Sequence, residues 1–200
     1  MATASTTAIE PKSNEADAKR RLITAEEFMK MDLSEGSFEL VEGEVTPVSV
    51  GNRLHAIVCS RMNRLLGNFG ERSGIGYALC NDFAVLVGRD PDTVRGADVA
   101  FYTHARLPER SAAEDVPPIP PDLVVEVVSP GNSRNELLRK VYEYLNIGVG
   151  MVWIVHPVRR TLTIYRNNDD STPIVLNEDD AIGGLAELPG FEAKTADFFP

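Results

Sequence analysis

Apolar residues recur at Leu54, Ile57, Val58, Met62, Leu65, Leu66 and Phe69, and this spacing of three and four predicts a long amphipathic helix over about 52–69. Arg53, Ser60 and Arg64 fall on the opposite side, so its outer face is partly basic. The period then changes. GIGYALC, DFAVLVG and RGADVAFY are three strand-like runs, the last two separated by the turn-rich GRDPDTV, and together they imply a strand meander. PDLVVEVVSP, over 121–130, reads as a strand buried on both faces, and GMVWIVHP and TLTIYR add two more that should pair.

Shorter signals fill the gaps. Thr24 with Glu27 three residues on has the form of a capping box opening a short helix, and FELVEGEVTPVS alternates about Glu42-Gly43 as a hairpin would. Ser133 with Glu136 repeats the capping-box pattern and opens a helix that should run to about 146 and stop before Gly148. On that helix Leu137, Leu138, Val141, Tyr144 and Leu145 form the inward arc, with Lys140 at its border beside Tyr144. VPPIPP is a stiff connector into the LVVEVVS strand. Residues 1–20 carry almost no large apolar side chain and are expected to be disordered, leaving 21–200 as a single domain. The acidic, Gly- and Pro-punctuated segment from 167 onward is expected to hug the surface.

Composition narrows the function classes. A chain of 200 residues, 43% hydrophobic, can build one sizeable core. It holds no apolar run near the roughly 20 residues that span a bilayer and no secretory signal, so a cytoplasmic protein without membrane contact is expected. The formal net charge of −10 argues against polyanion binding through global charge but leaves room for a local basic groove. Cys59 and Cys80 are read as forming no CxxC pair and no metal-ligand cluster with the three histidines. Both are expected as buried reduced thiols, which sets disulfide and zinc chemistry aside.

The unexpected residues are acidic. Asp98 and Glu126 each interrupt a short apolar strand, where an unpaired carboxylate costs several kcal/mol. A divalent cation would compensate them; so would a buried salt bridge, or a strand end that reaches solvent. A border lysine such as Lys140 can lay its stem along the sheet and bring its ammonium towards Glu126, or snorkel outward. Spacing alone leaves these alternatives open.

FELVEGEV, the His55-led HAIVCSRMNRLL, RGADVAFY, PPDLVVEVVSP, LLRKVYEYLNIGVGMVWIVHP, TLTIYR and LPGFEAKTADFF, in this order, resemble the Uma-two-type restriction endonuclease family of the PD-(D/E)xK nuclease superfamily. The resemblance implies an α/β (α+β), restriction-endonuclease-like fold, a mixed central sheet flanked by helices, with a magnesium-dependent phosphodiesterase site that manganese would also serve. It implies Asp98 and Glu126 as metal ligands, the backbone carbonyl of Val127 as a third, and Glu39 as an additional acidic residue. The lysine that many superfamily members carry two residues after the glutamate is Val128 here, and Lys140 fits the role instead. Ala97 stands where a proline usually precedes the aspartate, and His156 where WIVDP would have an aspartate. His55 sits where the family often has histidine, suited either to phosphate contact or proton transfer, or to a helix-start hydrogen bond.

The expected activity is metal-assisted hydrolysis of DNA phosphodiesters by a homodimer, with Arg53, Arg61, Arg64, Arg72 and Arg139 as candidate phosphate contacts. The alternative is a catalytically silent restriction-endonuclease-like module that binds protein or DNA. His104 is expected in solvent, and Trp153 and Tyr144 in the core.

Overall fold

The computed structural model describes residues 21–34, 36–111, 116–166 and 172–200, so the expected disordered tail over 1–20 lies outside the described residues. In chain order the elements are α1 (Ala25–Phe28), β1 (Phe38–Val41), β2 (Glu44–Pro47), α2 (Arg53–Ser73), β3 (Gly76–Gly88), β4 (Thr93–Thr103), β5 (Leu123–Val127), α3 (Arg134–Asn146), β6 (Met151–His156), β7 (Thr161–Arg166), β8 (Ile174–Leu176), β9 (Ala181–Ile182) and β10 (Ala193–Lys194). Both capping boxes form: Thr24 accepts from the Glu27 N–H and Ser133 from the Glu136 N–H, and each glutamate accepts in return. Helix α2 is capped by Asn52, whose Oδ1 accepts from the His55 N–H, and runs four residues past the expected end to a left-handed Gly74.

Eight strands form one mixed sheet in the order β2-β1-β4-β5-β6-β7-β8, with β3 also paired to β4. Only β5 and β6 are parallel, and α3 is the crossover between them. Strand β4 organises the rest. Val94 pairs with both Leu86 of β3 and Leu40 of β1, and Val99 with both Cys80 of β3 and Val125 of β5. Since β3 follows one edge of β4 throughout, β1 and β5 share the other edge and part from one another between Val94 and Val99.

The two runs GIGYALC and DFAVLVG, expected as separate strands, are one long β3. A bulge joins them: Asn81 and Asp82, at φ 72° and 53°, lie opposite the single residue Asp98. The change of direction at Asn-Asp hid the continuity in the sequence, because such residues equally favour turns.

Each sheet face has its own core. Val58, Met62, Leu66 and Phe69 of α2 pack on Val99, Phe101, Leu123, Val125, Val127 and Trp153. On the other face Val141 and Tyr144 of α3 pack on Ala97, Val124 and Val152. The facing of β4 therefore changes between Ala97 and Val99, at Asp98 and opposite the bulge. Two expectations fail here. Leu138 is 39% exposed, outside the inward arc, because the sheet beneath α3 is met by Val141 and Tyr144 instead. The C-terminal segment does not merely hug the surface, since Leu188, Phe191, Phe198 and Phe199 are buried and close the α2-side core.

Candidate active site

Where β1 and β5 part along β4, polar side chains replace the missing backbone pairing. Asp98 Oδ2 accepts from the Val127 N–H at 2.7 Å, and Glu39 Oε1 accepts from the Gly96 N–H at 3.2 Å. The gap opens into a cleft of about 1090 Å³ lined by Glu39, His55, Asp82, Arg95, Asp98, Glu126, Val127, Arg139 and Lys140, among others. Gly96 permits the close approach of the bulge, since a Cβ there would lie 3.1 Å from the Cβ of Asp82.

Every residue of β5 is buried, and its alternation sends Leu123, Val125 and Val127 to the α2 side and Val124 and Glu126 to the α3 side. Glu126 is 5% exposed and meets α3 one and two turns along. Lys140 Nζ stands 3.2 Å from its Oε2, and the Tyr144 hydroxyl donates to its Oε1 at 2.7 Å. Lys140 also reaches Glu39 Oε1 at 2.8 Å. Glu39 Oε2 in turn accepts from Arg95 at 2.8 Å, and Arg95 grips Glu143 through both oxygens at 2.7 and 2.9 Å. Arg139 extends the network, to Glu143 at 2.8 Å and to Glu42 at 2.9 Å.

On the α2 side, His55 Nε2 lies 3.2 Å from Asp98 Oδ1, and Cys59 Sγ lies 3.5 and 3.7 Å from the two ring nitrogens of His55. Gly51 leaves the space for that ring, as a Cβ at position 51 would be 2.3 Å from Nδ1.

Five carboxylates of the lining, Glu39, Asp82, Asp98, Glu126 and Glu136, thus meet three full cations, Lys140, Arg95 and Arg139, and both arginines also serve Glu143. The surplus of negative charge appears in their titration. Burial pushes the Glu126 carboxyl up to about 7, Lys140 opposes this, and Asp98 adds to it. Burial, then Asp98, also raises Asp82. At Glu39 burial is outweighed by Lys140 and Arg95, which hold the carboxyl below its usual range. Burial works against the charge on Lys140, but Glu126 and Glu39 raise its pKa. The hydrogen bond with Asp98 raises His55.

The structure therefore brings Glu39, His55, Asp98, Glu126, Val127 and Lys140 into one cleft, together with Arg139. Arg53 and Arg64 are exposed on α2 and do not line it, and Arg61 donates instead to the Phe199 carbonyl. Sequence reasoning missed Asp82, Arg95, Glu143 and the second role of Tyr144. Asp82 gave no signal, since Asn81-Asp82 reads as a turn, and Arg95 gave only that of a charge beside Val94 at the head of a strand-like run. Tyr144, read as plain core, is fully buried yet spends its hydroxyl on Glu126. Both cysteines are free thiols, but neither is buried as expected: Cys80 is exposed, and Cys59 is half-buried and, against the expectation of no cluster, grouped with His55 and Asp98. The i to i+4 spacing of His55 and Cys59 on a helix was the overlooked signal.

A mixed sheet with helices on both faces and acidic residues gathered where two strands part is the restriction-endonuclease-like fold. The chain belongs to the Uma2 family, described as "Putative restriction endonuclease", which matches residues 25–196. Among solved structures, it is similar to that of "a putative nuclease belonging to DUF820" from Anabaena variabilis, with a TM-score of 0.74 and 21% identity over 88% of this chain and 97% of that one. No curated protein matches. No helix among the described residues is long and apolar enough to cross a membrane.

Proposed function

We propose that the protein is a metal-dependent endonuclease that hydrolyses DNA phosphodiesters. What carries this reading is the meeting of Glu39, Lys140 and Glu126, within 2.8 and 3.2 Å, in the cleft where Asp98 is tied to the backbone beside Glu126. The donor set fits a hard divalent cation: its atoms are carboxylate oxygens, which would take the ion beside or in place of their present hydrogen-bond partners, and the cleft lining holds more carboxylates than cations. Asp98 and Glu126, with the Val127 carbonyl, would hold magnesium or manganese. When bound, such an ion supplies Lewis-acid polarisation of the phosphoryl group and a water of lowered pKa.

The chain's own residues do the rest. Lys140, held by two carboxylates, keeps a fixed positive charge at the cleft wall for the anionic transition state. Glu39 gives the ammonium of Lys140 a second carboxylate partner beside Glu126, and Arg95 fixes Glu39. Arg139, on the cleft lining, would meet a backbone phosphate by exchanging its exposed partner Glu42 for it. His55 orients Asp98 through Oδ1 while the Val127 N–H holds Oδ2. In this reading a homodimer presents two such clefts, and light scattering that finds only monomer counts against that part.

The test is incubation with supercoiled and single-stranded DNA, with and without manganese, comparing wild type with Asp98→Asn, Glu126→Gln and Lys140→Ala. Cleavage should require the ion and fall at least about 100-fold in each variant. Undiminished cleavage by the two carboxylate variants sinks the reading. DNA binding with neither metal binding nor cleavage would identify the silent module instead.

A further inference from the structure

The geometry points to a second metal site in the same cleft, formed by His55, Cys59 and Asp98, that takes a borderline-soft divalent cation of the zinc class and competes with magnesium for Asp98. The competition rests on the function proposed above; the site itself does not.

One nitrogen, one sulfur and one oxygen donor atom lie within 4.8 Å of one another here, an N/S/O set unlike the carboxylates on the α3 side. Its chemistry differs accordingly. Magnesium prefers oxygen and keeps its waters, whereas zinc takes thiolate, imidazole and carboxylate and favours four-coordination. Zinc–nitrogen and zinc–sulfur bonds of about 2.0 and 2.3 Å at tetrahedral angles place nitrogen and sulfur roughly 3.5 Å apart, and nitrogen and oxygen roughly 3.3 Å apart. The observed separations are 3.7 Å for Nε2 to Sγ and 3.2 Å for Nε2 to Oδ1.

All three donors are carried by rigid elements. His55 and Cys59 are one turn apart on α2, whose first turn Asn52 caps, and Asp98 is tied to the Val127 N–H through its other oxygen. Sγ is nearly equidistant from both ring nitrogens and so lies toward the ring face. Ligation would require the imidazole to turn about its Cβ–Cγ bond until a lone pair faces the ion, so the observed separations put the donors within reach rather than already in bound geometry. The thiol gives up its proton to solvent on ligation. Three protein donors on the wall of an open cleft leave the fourth position to water. A zinc-class ion held this way engages Asp98 Oδ1, one of the oxygens a magnesium ion would need.

Cobalt(II) is the probe, because a cobalt–thiolate bond gives an intense charge-transfer absorption that oxygen and nitrogen ligands alone do not. Wild-type protein should show the band, and zinc should bleach it. Cys59→Ser and Cys59→Ala should both lose it while unfolding at wild-type urea concentrations, and zinc affinity by calorimetry should fall on the order of 100-fold in each. Glu126→Gln should keep the band. A wild-type protein without it, or a band that survives in both Cys59 variants, overturns the site. A normal band in protein that binds no magnesium and cleaves no DNA supports the zinc-class site and defeats the nuclease reading instead.

Discussion

Tyr144 donates its hydroxyl to Glu126 across 2.7 Å, in a spot where both side chains are shut off from solvent. It is a neutral partner of that carboxylate, while Lys140 supplies the charge. Tyr144→Phe keeps the ring and its packing against Ala97 and Val152 but leaves Glu126 Oε1 without its donor. The expected cost is about 1.5–3 kcal/mol in urea unfolding of metal-free protein, with the Glu126 carboxyl raised further. A loss below about 0.5 kcal/mol would show that water replaces the hydroxyl and that the site is wetter than its burial implies.

Arg95 joins two secondary elements that share no strand pairing, gripping Glu39 on β1 and Glu143 on α3 from a side chain only 8% exposed. Arg95→Met removes the guanidinium while keeping much of the stem, and leaves Glu39 to Lys140 and Glu143 to Arg139 alone. Breaking such a buried group of charges costs roughly 3–5 kcal/mol. Arg95→Lys recovers only a fraction, since an ammonium cannot match the paired bonds to Glu143. Urea midpoints of the three proteins provide the comparison, and a lysine variant as stable as wild type would contradict it.

Lys140→Ala has two separable effects. Without metal it leaves Glu39 and Glu126 facing one another, and stability falls by an amount comparable to the Arg95 loss. With manganese, much of that stability returns, because the ion supplies the missing positive charge, whereas cleavage does not return. Thermal melts with and without manganese, alongside cleavage assays, separate the structural from the chemical contribution.

Glu126 gives the metal-free protein a pH dependence of unusual sign for a glutamate. Its folded-state value of about 7 lies above the ordinary 4.5, so between these values the folded chain holds more protons than the unfolded one. Its contribution is complete below about pH 4.5 and is lost as pH rises through 7, a swing of roughly 3 kcal/mol. Glu39, held below its usual range, contributes the opposite slope at lower pH. The clean measurement is therefore the difference between wild type and Glu126→Gln in urea unfolding at pH 5 and pH 8. A constant difference across that range refutes the assignment.

The elements were largely readable from the chain because each rests on local rules: the period of α2, the two capping boxes, and the Glu42-Gly43 turn, with φ of 51° and 78°. Misreadings came where tertiary context decides. The bulge at Asn81-Asp82 looks like a turn until β4 is laid beside it, and nothing local says that Phe198 and Phe199 enter the core. The site divides in the same way. Asp98 and Glu126 stand out because they break apolar runs, but Tyr144 matches its helical face so well that its polar end draws no notice. Arg95 pairs with residues 56 and 48 positions away, a distance over which spacing carries no information. His156 illustrates substitution by geometry: its Nδ1 accepts from the Arg159 N–H at 3.2 Å, a turn-capping bond that an aspartate there could also make.

The bulge opposite Asp98 also makes the cleft sensitive to chain length. Two residues of β3 span what one residue of β4 spans, so deleting either Asn81 or Asp82 allows a one-to-one ladder from Gly76 as far as Leu86. That shorter hairpin would be the more regular protein, with its alternation no longer offset at Asp98 and one acidic wall of the cleft withdrawn. Loss of a single codon could thus tidy the sheet and dismantle the site in the same step.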